Sequence, residues 1–187
     1  RLALSTGIPI EHRVMVVIPA MLTDTASTLA LVHRLQLHHL ANPERHAQFA
    51  LLTDWADADT ARLATDEGLL AEARRQIDAL NARHPTCHQG GMDELSMRTP
   101  APPRFLVLHR ERRYSESEQR WIGWERKRGK LEQLISVLAG DSDPPSTSAE
   151  PAFIDLGDAS RIARGTRYVV TLDSDTQLPP GRLHDLV

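Results

Sequence analysis

Four short apolar runs divide the chain, and apolar residues at helical spacing fill the segments between them. Nearly unbroken apolar runs with β-branched residues are typical of strands that are covered on both faces. The runs lie at residues 13–18, 49–53, 105–108 and 168–172. The helical patterns lie between Thr23 and Pro43, between Leu63 and Pro85, and from Leu131 to Leu138. Strands that alternate with helices predict a mainly parallel α/β sheet, whose ligands bind beyond the carboxyl ends of the strands.

Capping residues and breakers refine this pattern. Thr23 or Asp24 offers an N-cap for the first helix, and prolines stop the first two helices. Two stretches rich in Pro, Gly and small polar residues interrupt the alternation, and we predict flexible loops at residues 85–103 and 140–151. We predict that the residues outside these two loops fold as one unit within residues 1–187.

Composition narrows the class of protein. With 187 residues, 41% of them hydrophobic, the chain can bury the core of one domain and is not disordered throughout. No apolar run approaches the roughly 20 residues that span a bilayer. The single cysteine excludes an internal disulfide. The chain begins with Arg1 instead of Met and stops at Val187, and from this we expect a piece of a longer polypeptide.

Charge is unevenly distributed. The formal net charge is −3, yet residues 104–130 hold nine Lys/Arg against four Glu, and this basic block is where we expect an anion to bind. With Tyr114, Trp121 and Trp124, the block also fits a module that binds single-stranded nucleic acid by charge and stacking. Overall acidity and the carboxylates at the strand ends favour the first interpretation, so we expect no nucleic-acid partner.

Two carboxylates follow the fourth apolar run, in V-V-T-L-D-S-D. In an extended strand, residues two apart point to one side, so Asp173 and Asp175 can present oxygens to one hard cation such as Mg²⁺ or Mn²⁺. That cation could neutralise a diphosphate. The alternative for so short a motif is a solvated turn.

Asp54 and a basic helix start add to this pattern. Asp54 closes the second apolar run, and its alternative role is a helix cap, for which Asp57 and Asp59 compete. Residues 124–130 (W-E-R-K-R-G-K) open the third helix, where the helix N-terminus favours anions and Gly129 would let a phosphate approach the backbone. The alternative is a solvated basic helix end.

Three other sites fit less well. A haloacid-dehalogenase type of phosphatase needs Thr or Val where Gln177 stands, and an EF-hand loop needs Glu where His184 stands. The cluster of His84, Cys87 and His88 hints at zinc, but it lies in a Pro/Gly-rich stretch without a fourth ligand nearby.

The combined order of motifs resembles a known family. I-P-A after the first run, Asp54 after the second, K-R-G-K at a helix start and V-V-T-L-D-S-D-T are similar to the nucleotide-sugar-binding half of GT-A glycosyltransferases related to processive β-glycan synthases. Residues 108–134 (L-H-R-E-R-R-Y-S-E-S-E-Q-R-W-I-G-W-E-R-K-R-G-K-L-E-Q-L) and 168–181 (Y-V-V-T-L-D-S-D-T-Q-L-P-P-G) look more closely like the central transferase domain of cyclic β-1,2-glucan synthases.

This resemblance implies a fold, a reaction and a location. The fold would be GT-A-like and Rossmann-like, truncated to its donor-binding half. The donor would be UDP-glucose, held with Mg²⁺ or Mn²⁺, and an inverting transfer would extend a growing β-1,2-glucan. The parent would be a bacterial inner-membrane protein whose transferase domain faces the cytoplasm, and the remainder of that polypeptide would be its partner.

The resemblance also implies roles for individual residues. Asp173 and Asp175 match the D-x-D that holds the metal and the diphosphate or ribose. Asp54 matches an acidic contact to the uridine. Lys127 and Gly129 match a K-x-G element near the nucleotide. The remaining matches are Pro19 and Ala20 against the uridine, with Arg126, Arg128 and Lys130 as further candidates for phosphate charge. The chain departs from related synthases at Thr23, where an acidic residue is common.

The transfer half of the family pattern is missing. Glu118, Gln119, Arg120 and Trp121 lack the spacing of the Q-x-x-R-W acceptor motif, because Ser117 stands where its Gln or Arg should be. The catalytic residues are therefore unknown, and we expect the general base beyond Val187. The 187 residues by themselves are expected to bind donor without synthesising glucan.

Overall fold

A computed structural model describes residues 7–86, 100–140 and 151–187. The predicted loops 85–103 and 140–151 lie largely outside the described residues, as do Cys87 and His88 of the zinc hypothesis. No helix within the three described ranges is long and apolar enough to cross a membrane.

Strands and helices alternate through most of the described chain. The strands are β1 (Val14–Leu22), β2 (Ala47–Trp55), β3 (Phe105–Arg110), β4 (Arg113–Ser115), β5 (Arg120–Ile122) and β6 (Tyr168–Thr171). The α-helices are α1 (Thr25–Ala41), α2 (Asp66–Arg83), α3 (Arg126–Ala139) and α4 (Arg182–Leu186), with short 3-10 helices at Ile10–His12 and Gly157–Ser160.

The main sheet has four parallel strands in the order β3-β2-β1-β6. This confirms the predicted α/β class with a parallel sheet flanked by helices, and the arrangement is compatible with a Rossmann-like fold. The chain leaves β1 through α1 to β2 on one side, while β6 pairs with the opposite side of β1. The carboxyl ends of β1 and β6 therefore meet at a switch point of the topology, where ligands of such sheets bind.

Both faces of the sheet are covered, which explains the nearly continuous apolar runs. Val16 and Phe49 are paired in register and belong to the core on one face, which also contains α1 and α2 residues such as Leu35 and Ile77. Met15 and Leu52 belong to the core on the other face, together with Leu134 of α3. Alternation along the strands sends neighbouring side chains to opposite layers.

The helix boundaries differ in part from those predicted. Asp24 is confirmed as the N-cap of α1, because its carboxylate accepts a hydrogen bond from the Ser27 amide at 2.8 Å. The second helix begins at Asp66 instead of Leu63, whose amide donates to the Asp66 carboxylate at 2.8 Å. The third begins at Arg126, before its first apolar position. The antiparallel hairpin of β4 and β5 was not predicted.

Candidate functional site

Asp54 lies buried near the end of β2 between two cations. Its Oδ1 accepts from Nε of Arg110 at 2.7 Å, and its Oδ2 accepts from Nη2 of Arg110 at 3.1 Å. Nζ of Lys130 lies 3.0 Å from the same Oδ2. The three side chains, here called the Asp54 triad, are each only 4% exposed. Asp54 is therefore not a helix cap, and neither are Asp57 and Asp59, since α2 begins only at Asp66.

Lys130 connects this triad to the first strand. Its ammonium donates to the carbonyl of Ala20 at 2.7 Å, so one buried group contacts both β1 and β2 from α3. Burial lowers the pKa of Lys130, and the Asp54 charge opposes that effect. Lys130 was expected near a phosphate, but the structure places it inside the protein as a link between strands.

Arg110 also holds the turn that precedes α3. Its Nη2 donates to the carbonyls of Trp124 at 3.0 Å and Arg126 at 3.3 Å, and its Nη1 donates to Oε1 of Gln133 at 2.7 Å. Glu125 and Arg126 have φ values of 46° and 42°. Such left-handed conformations are uncommon for residues other than glycine, and they persist where surrounding contacts hold them.

Two glycines allow the chain to pack closely around this turn. A Cβ at Gly123 would lie 2.9 Å from Cγ of Asp54. A Cβ at Gly129 would lie 2.3 Å from the Trp124 carbonyl oxygen and 2.8 Å from its indole. Gly129 is thus required by the approach of Trp124, whether or not a phosphate also approaches there.

Lys127 and Asp173 form an ion pair, which unites the predicted basic helix start with the predicted D-x-D. Both side chains are more than half exposed, so the pair is accessible to a ligand. The other expected cations point elsewhere: Arg126 pairs with Asp57 and Arg128 with Glu132.

The two D-x-D carboxylates lie in a turn rather than on an extended strand. β6 ends at Thr171, and the amide of Thr176 donates to the carbonyl of Asp173 at 3.0 Å. The expected extended strand through Asp173 and Asp175 was wrong, because its ladder with β1 stops before these residues. Residues 173–176 are here called the carboxylate turn; all four are exposed.

The number and type of ligands in the carboxylate turn determine which cation it could bind. Among the described residues, no group of three or more His, Cys, Asp or Glu could hold a metal ion. Two aspartates alone fit a cation that takes its other ligands from phosphate oxygens and water, as Mg²⁺ commonly does. The predicted role of Asp173 and Asp175 is compatible with that donor set.

A cavity of about 390 Å³ lies at the switch point of the sheet, here called the switch cavity. It joins the end of β1 and the start of α1 to the carboxylate turn. Its lining is formed by Pro19, Ala20, Met21, Thr23, Ser27, Ala30, Leu31, Arg34 and Ser174. The fold thus brings the predicted Pro19 and Ala20 close to the D-x-D segment. Asp54 does not line the cavity and is connected to it indirectly, because Lys130 contacts both Asp54 and the Ala20 carbonyl.

A larger cavity of about 490 Å³ lies on the other side of the triad, beside the hairpin, and is here called the hairpin cavity. It is lined by Ala61, Arg62, Arg110, Glu111, Arg112, Arg113, Trp121, Trp124, Gln133, Pro151, Ala152, Phe153, Ile154 and Asp155. No residue of the carboxylate turn lines the hairpin cavity, whereas Ser174 lines the switch cavity, so the larger of the two cavities is not the one that the D-x-D segment borders.

Sequence reasoning missed two buried arginines. Arg110 and Arg112 were counted only as part of the basic block, yet they pair with Asp54 and Asp66 inside the protein. The available signal was their place directly after the third apolar run, at the carboxyl end of a strand. A buried cation in such a position needs a carboxylate partner.

Comparison with known proteins supports the resemblance found in the sequence. No model of a known protein family matches the chain. Over 172 residues, 92% of its length, the chain is 41% identical to the protein named cyclic beta-(1,2)-glucan synthase NdvB of Rhizobium meliloti (strain 1021). It spans only 5% of that protein's length. Over nearly its whole length, the chain is therefore related to one segment of a cyclic beta-(1,2)-glucan synthase, as its motifs indicated.

Proposed function

We propose that this chain is the donor-binding part of a glycosyltransferase that uses UDP-glucose to extend a β-1,2-glucan by inverting transfer. The observation that carries this proposal is that Pro19 and Ala20 line the switch cavity together with Ser174. Ser174 is the residue that separates the two D-x-D aspartates in the sequence. Lys127 pairs with Asp173 at the same edge of the sheet. The similarity to a glucan synthase supports the choice of reaction.

Different residues of the chain would bind the uridine, the phosphates and the cation. The uridine would lie in the switch cavity against Pro19 and Ala20, with Asp54 as the acidic group behind them. The phosphates would lie toward Lys127, near the N-terminus of α3, where the helix dipole favours anions. A Mg²⁺ or Mn²⁺ ion held by Asp173 and Asp175 would supply positive charge to the diphosphate.

The acceptor and the base belong to the rest of the proposed enzyme. The growing β-1,2-glucan would be the acceptor, and the remainder of the same polypeptide would supply the general base and the acceptor surface. We place this domain on the cytoplasmic side of a bacterial inner-membrane protein, where nucleotide sugars are available. The resemblance of residues 108–134 and 168–181 to the transferase domain of such synthases is the basis of this placement.

Calorimetric titration tests the proposal directly. UDP, UDP-glucose, GDP and ADP are titrated into the chain with and without Mn²⁺. We expect UDP and UDP-glucose to bind more tightly with Mn²⁺ and to bind in preference to GDP and ADP. Equal affinity for all four nucleotides, or no binding, would contradict it.

The nucleic-acid alternative is tested in parallel. Several cations of the basic block are already paired, including Arg110 with Asp54, Arg112 with Asp66 and Arg128 with Glu132. Less positive charge is therefore offered to a polyanion than the sequence suggests. Fluorescence anisotropy with a labelled single-stranded oligonucleotide should show weaker binding than UDP.

A further inference from the structure

The hairpin cavity presents two indoles on well-supported backbone. The amide of Trp121 donates to the carbonyl of Ala58 at 2.9 Å, and the Ala58 amide donates back at 2.9 Å. The Tyr114 ring packs edge-on against the Trp121 ring, with centroids 5.6 Å apart. Trp124 has its carbonyl held by Arg110, and Gly129 approaches its indole. These contacts hold the backbone of both tryptophans at the cavity, and each indole has a neighbour beside it.

The charges around this cavity are largely compensated. Arg110 is paired with Asp54, and Arg112 with Asp66, in buried contacts. Arg62 pairs with Glu111 at the surface. The lining also carries Arg113 and Asp155, which are opposite in charge. A cavity with four arginines therefore offers little net charge, and a neutral ligand fits it better than a polyanion.

The remaining groups are suited to hydroxyls. Planar polar side chains, among them Glu111, Gln133 and Asp155, line the cavity together with the aromatic groups. A pyranose has an apolar C–H face, which packs on an indole, and a ring of hydroxyls, which hydrogen-bond to carboxylate, amide and guanidinium groups. A cavity of about 490 Å³ is within the usual size of small-molecule sites and holds a short oligosaccharide.

We propose that the hairpin cavity binds a neutral gluco-oligosaccharide, stacked on Trp121 and Trp124 and separated from the nucleotide by the Asp54 triad. The site itself follows from the aromatic and compensated lining. The choice of β-1,2-linked glucan among neutral oligosaccharides rests on the proposed function. Bound there, the oligosaccharide would be held on the donor-binding domain at a place remote from the carboxylate turn.

Calorimetry with linear β-1,2-gluco-oligosaccharides tests this site, and tryptophan fluorescence reports on the indoles. Trp121→Ala should lower the affinity by roughly tenfold or more, since buried Trp contacts commonly dominate binding. Trp121→Phe keeps an aromatic face and should retain most of the affinity. Tyr168→Ala, an exposed aromatic residue on β6, is the matched control and should leave the affinity unchanged.

Circular dichroism and a UDP titration on each variant establish that it is folded. Absence of oligosaccharide binding at millimolar concentration, or binding that Trp121→Ala does not weaken, would overturn the site. Tighter binding of dextran sulfate at the same indoles would overturn the neutral ligand class. Equal affinity for cello-oligosaccharides would overturn the assignment to β-1,2-glucan. Failure of UDP to bind while the oligosaccharide still binds would refute the proposed function and leave the site standing.

Discussion

Lys127, the second residue of α3, forms an ion pair with Asp173, which follows β6 on the neighbouring part of the sheet edge. If a diphosphate bound here, Lys127 would pair with its phosphates instead of with Asp173. A bound cation would then replace Lys127 as the partner of Asp173. The pair therefore keeps the two groups that we propose to bind phosphate and cation together at one place. Because both side chains are exposed, this exchange costs little desolvation.

Replacement of Lys127 by Ala should weaken UDP binding more than uridine binding. Uridine has no phosphate whose contact could be lost, whereas UDP would lose a charge-assisted hydrogen bond. We expect about a tenfold loss for UDP, which corresponds to roughly 1.4 kcal/mol. Calorimetry measures both ligands, and Arg75→Ala on α2 serves as a control cation far from the sheet edge. Equal losses for UDP and uridine would point to a fold defect.

Replacement of Asp173 or Asp175 by Asn should remove most of the effect of Mn²⁺ on UDP binding. An amide is a poorer ligand than a carboxylate for a hard cation, so the cation would no longer favour the diphosphate. Titrations with and without Mn²⁺ measure this difference. Asp158→Asn, at an exposed position paired with Arg161, is the control. The idea fails if the unmodified chain binds UDP equally well with and without Mn²⁺.

Replacement of Asp54 by Asn should destabilise the fold by about 3–5 kcal/mol, because two buried cations would lose their carboxylate. Lys130→Met should cost less, since a one-to-one pair of Arg110 and Asp54 would remain. Urea unfolding gives both free energies. Asp78→Asn removes an exposed carboxylate paired with Arg74 and should change stability by no more than about 0.5 kcal/mol. Similar losses for Asp54→Asn and Asp78→Asn would contradict the structural role of the triad.

Two glycine-to-alanine changes in helices should have opposite effects. Gly129→Ala places a methyl group 2.3 Å from the Trp124 carbonyl oxygen and should cost about 1–3 kcal/mol despite the better helix propensity of Ala. At Gly68 in α2, an added methyl group would have nothing within 4 Å, so Gly68→Ala should stabilise by about 0.4–1 kcal/mol. Thermal and urea unfolding compare them. Destabilisation of equal size in both would be inconsistent with the packing around Trp124.

Stability should fall as the pH is lowered from about 6.5 to 4, partly because of His39. Burial, and then the charges of Arg104 and His84, lower the pKa of His39 from 6.5 to about 4. In that interval the unfolded chain binds a proton that the folded chain excludes, so the free energy of unfolding decreases by at most about 1.4 kcal/mol per pH unit. His39→Phe fits among Phe49 and Phe105 and should reduce this slope.

The control for this pH dependence is His33→Gln, on the same helix but outside the buried cluster of rings. It should leave the slope of stability against pH unchanged. Urea unfolding at several pH values between 7 and 4 gives the slopes. A His39→Phe slope equal to that of the unmodified chain would show that His39 contributes nothing to it.

The main sheet was predictable because of how its strands are buried. Strands covered on both faces select apolar residues at every position, and this produces runs such as residues 49–53 that stand out from helical periodicity. β4 and β5 left no such run, since each has three residues and is partly exposed. Their hairpin is specified by pairing across a short turn, to which apolar periodicity is insensitive.

The site was predictable only in its parts. Strand ends in a parallel sheet converge on one edge, so Asp54 and the D-x-D could be assigned to the same edge of the sheet. The ion-pair partners of Asp54 could not be predicted, because ion pairing across strands leaves no periodic signal in the sequence. The turn at Asp173 was also hidden, since the ladder between β1 and β6 ends at the pair of Val17 and Thr171 and nothing in the local sequence marks that end.

The pairing of β1 has a consequence for how the molecule folds. Val14 pairs with Ala47 on one side but with Tyr168 on the other, so the second contact closes a loop of nearly the whole chain. Closing so long a loop costs more entropy, and we expect β6 to join after β1, β2 and β3 have assembled. With four residues, β6 is also the shortest strand of the main sheet, so local opening of the sheet is favoured there. A ligand that bridges the end of β1 and the carboxylate turn would slow this opening, so occupancy of the switch cavity and the lifetime of the closed sheet would rise together.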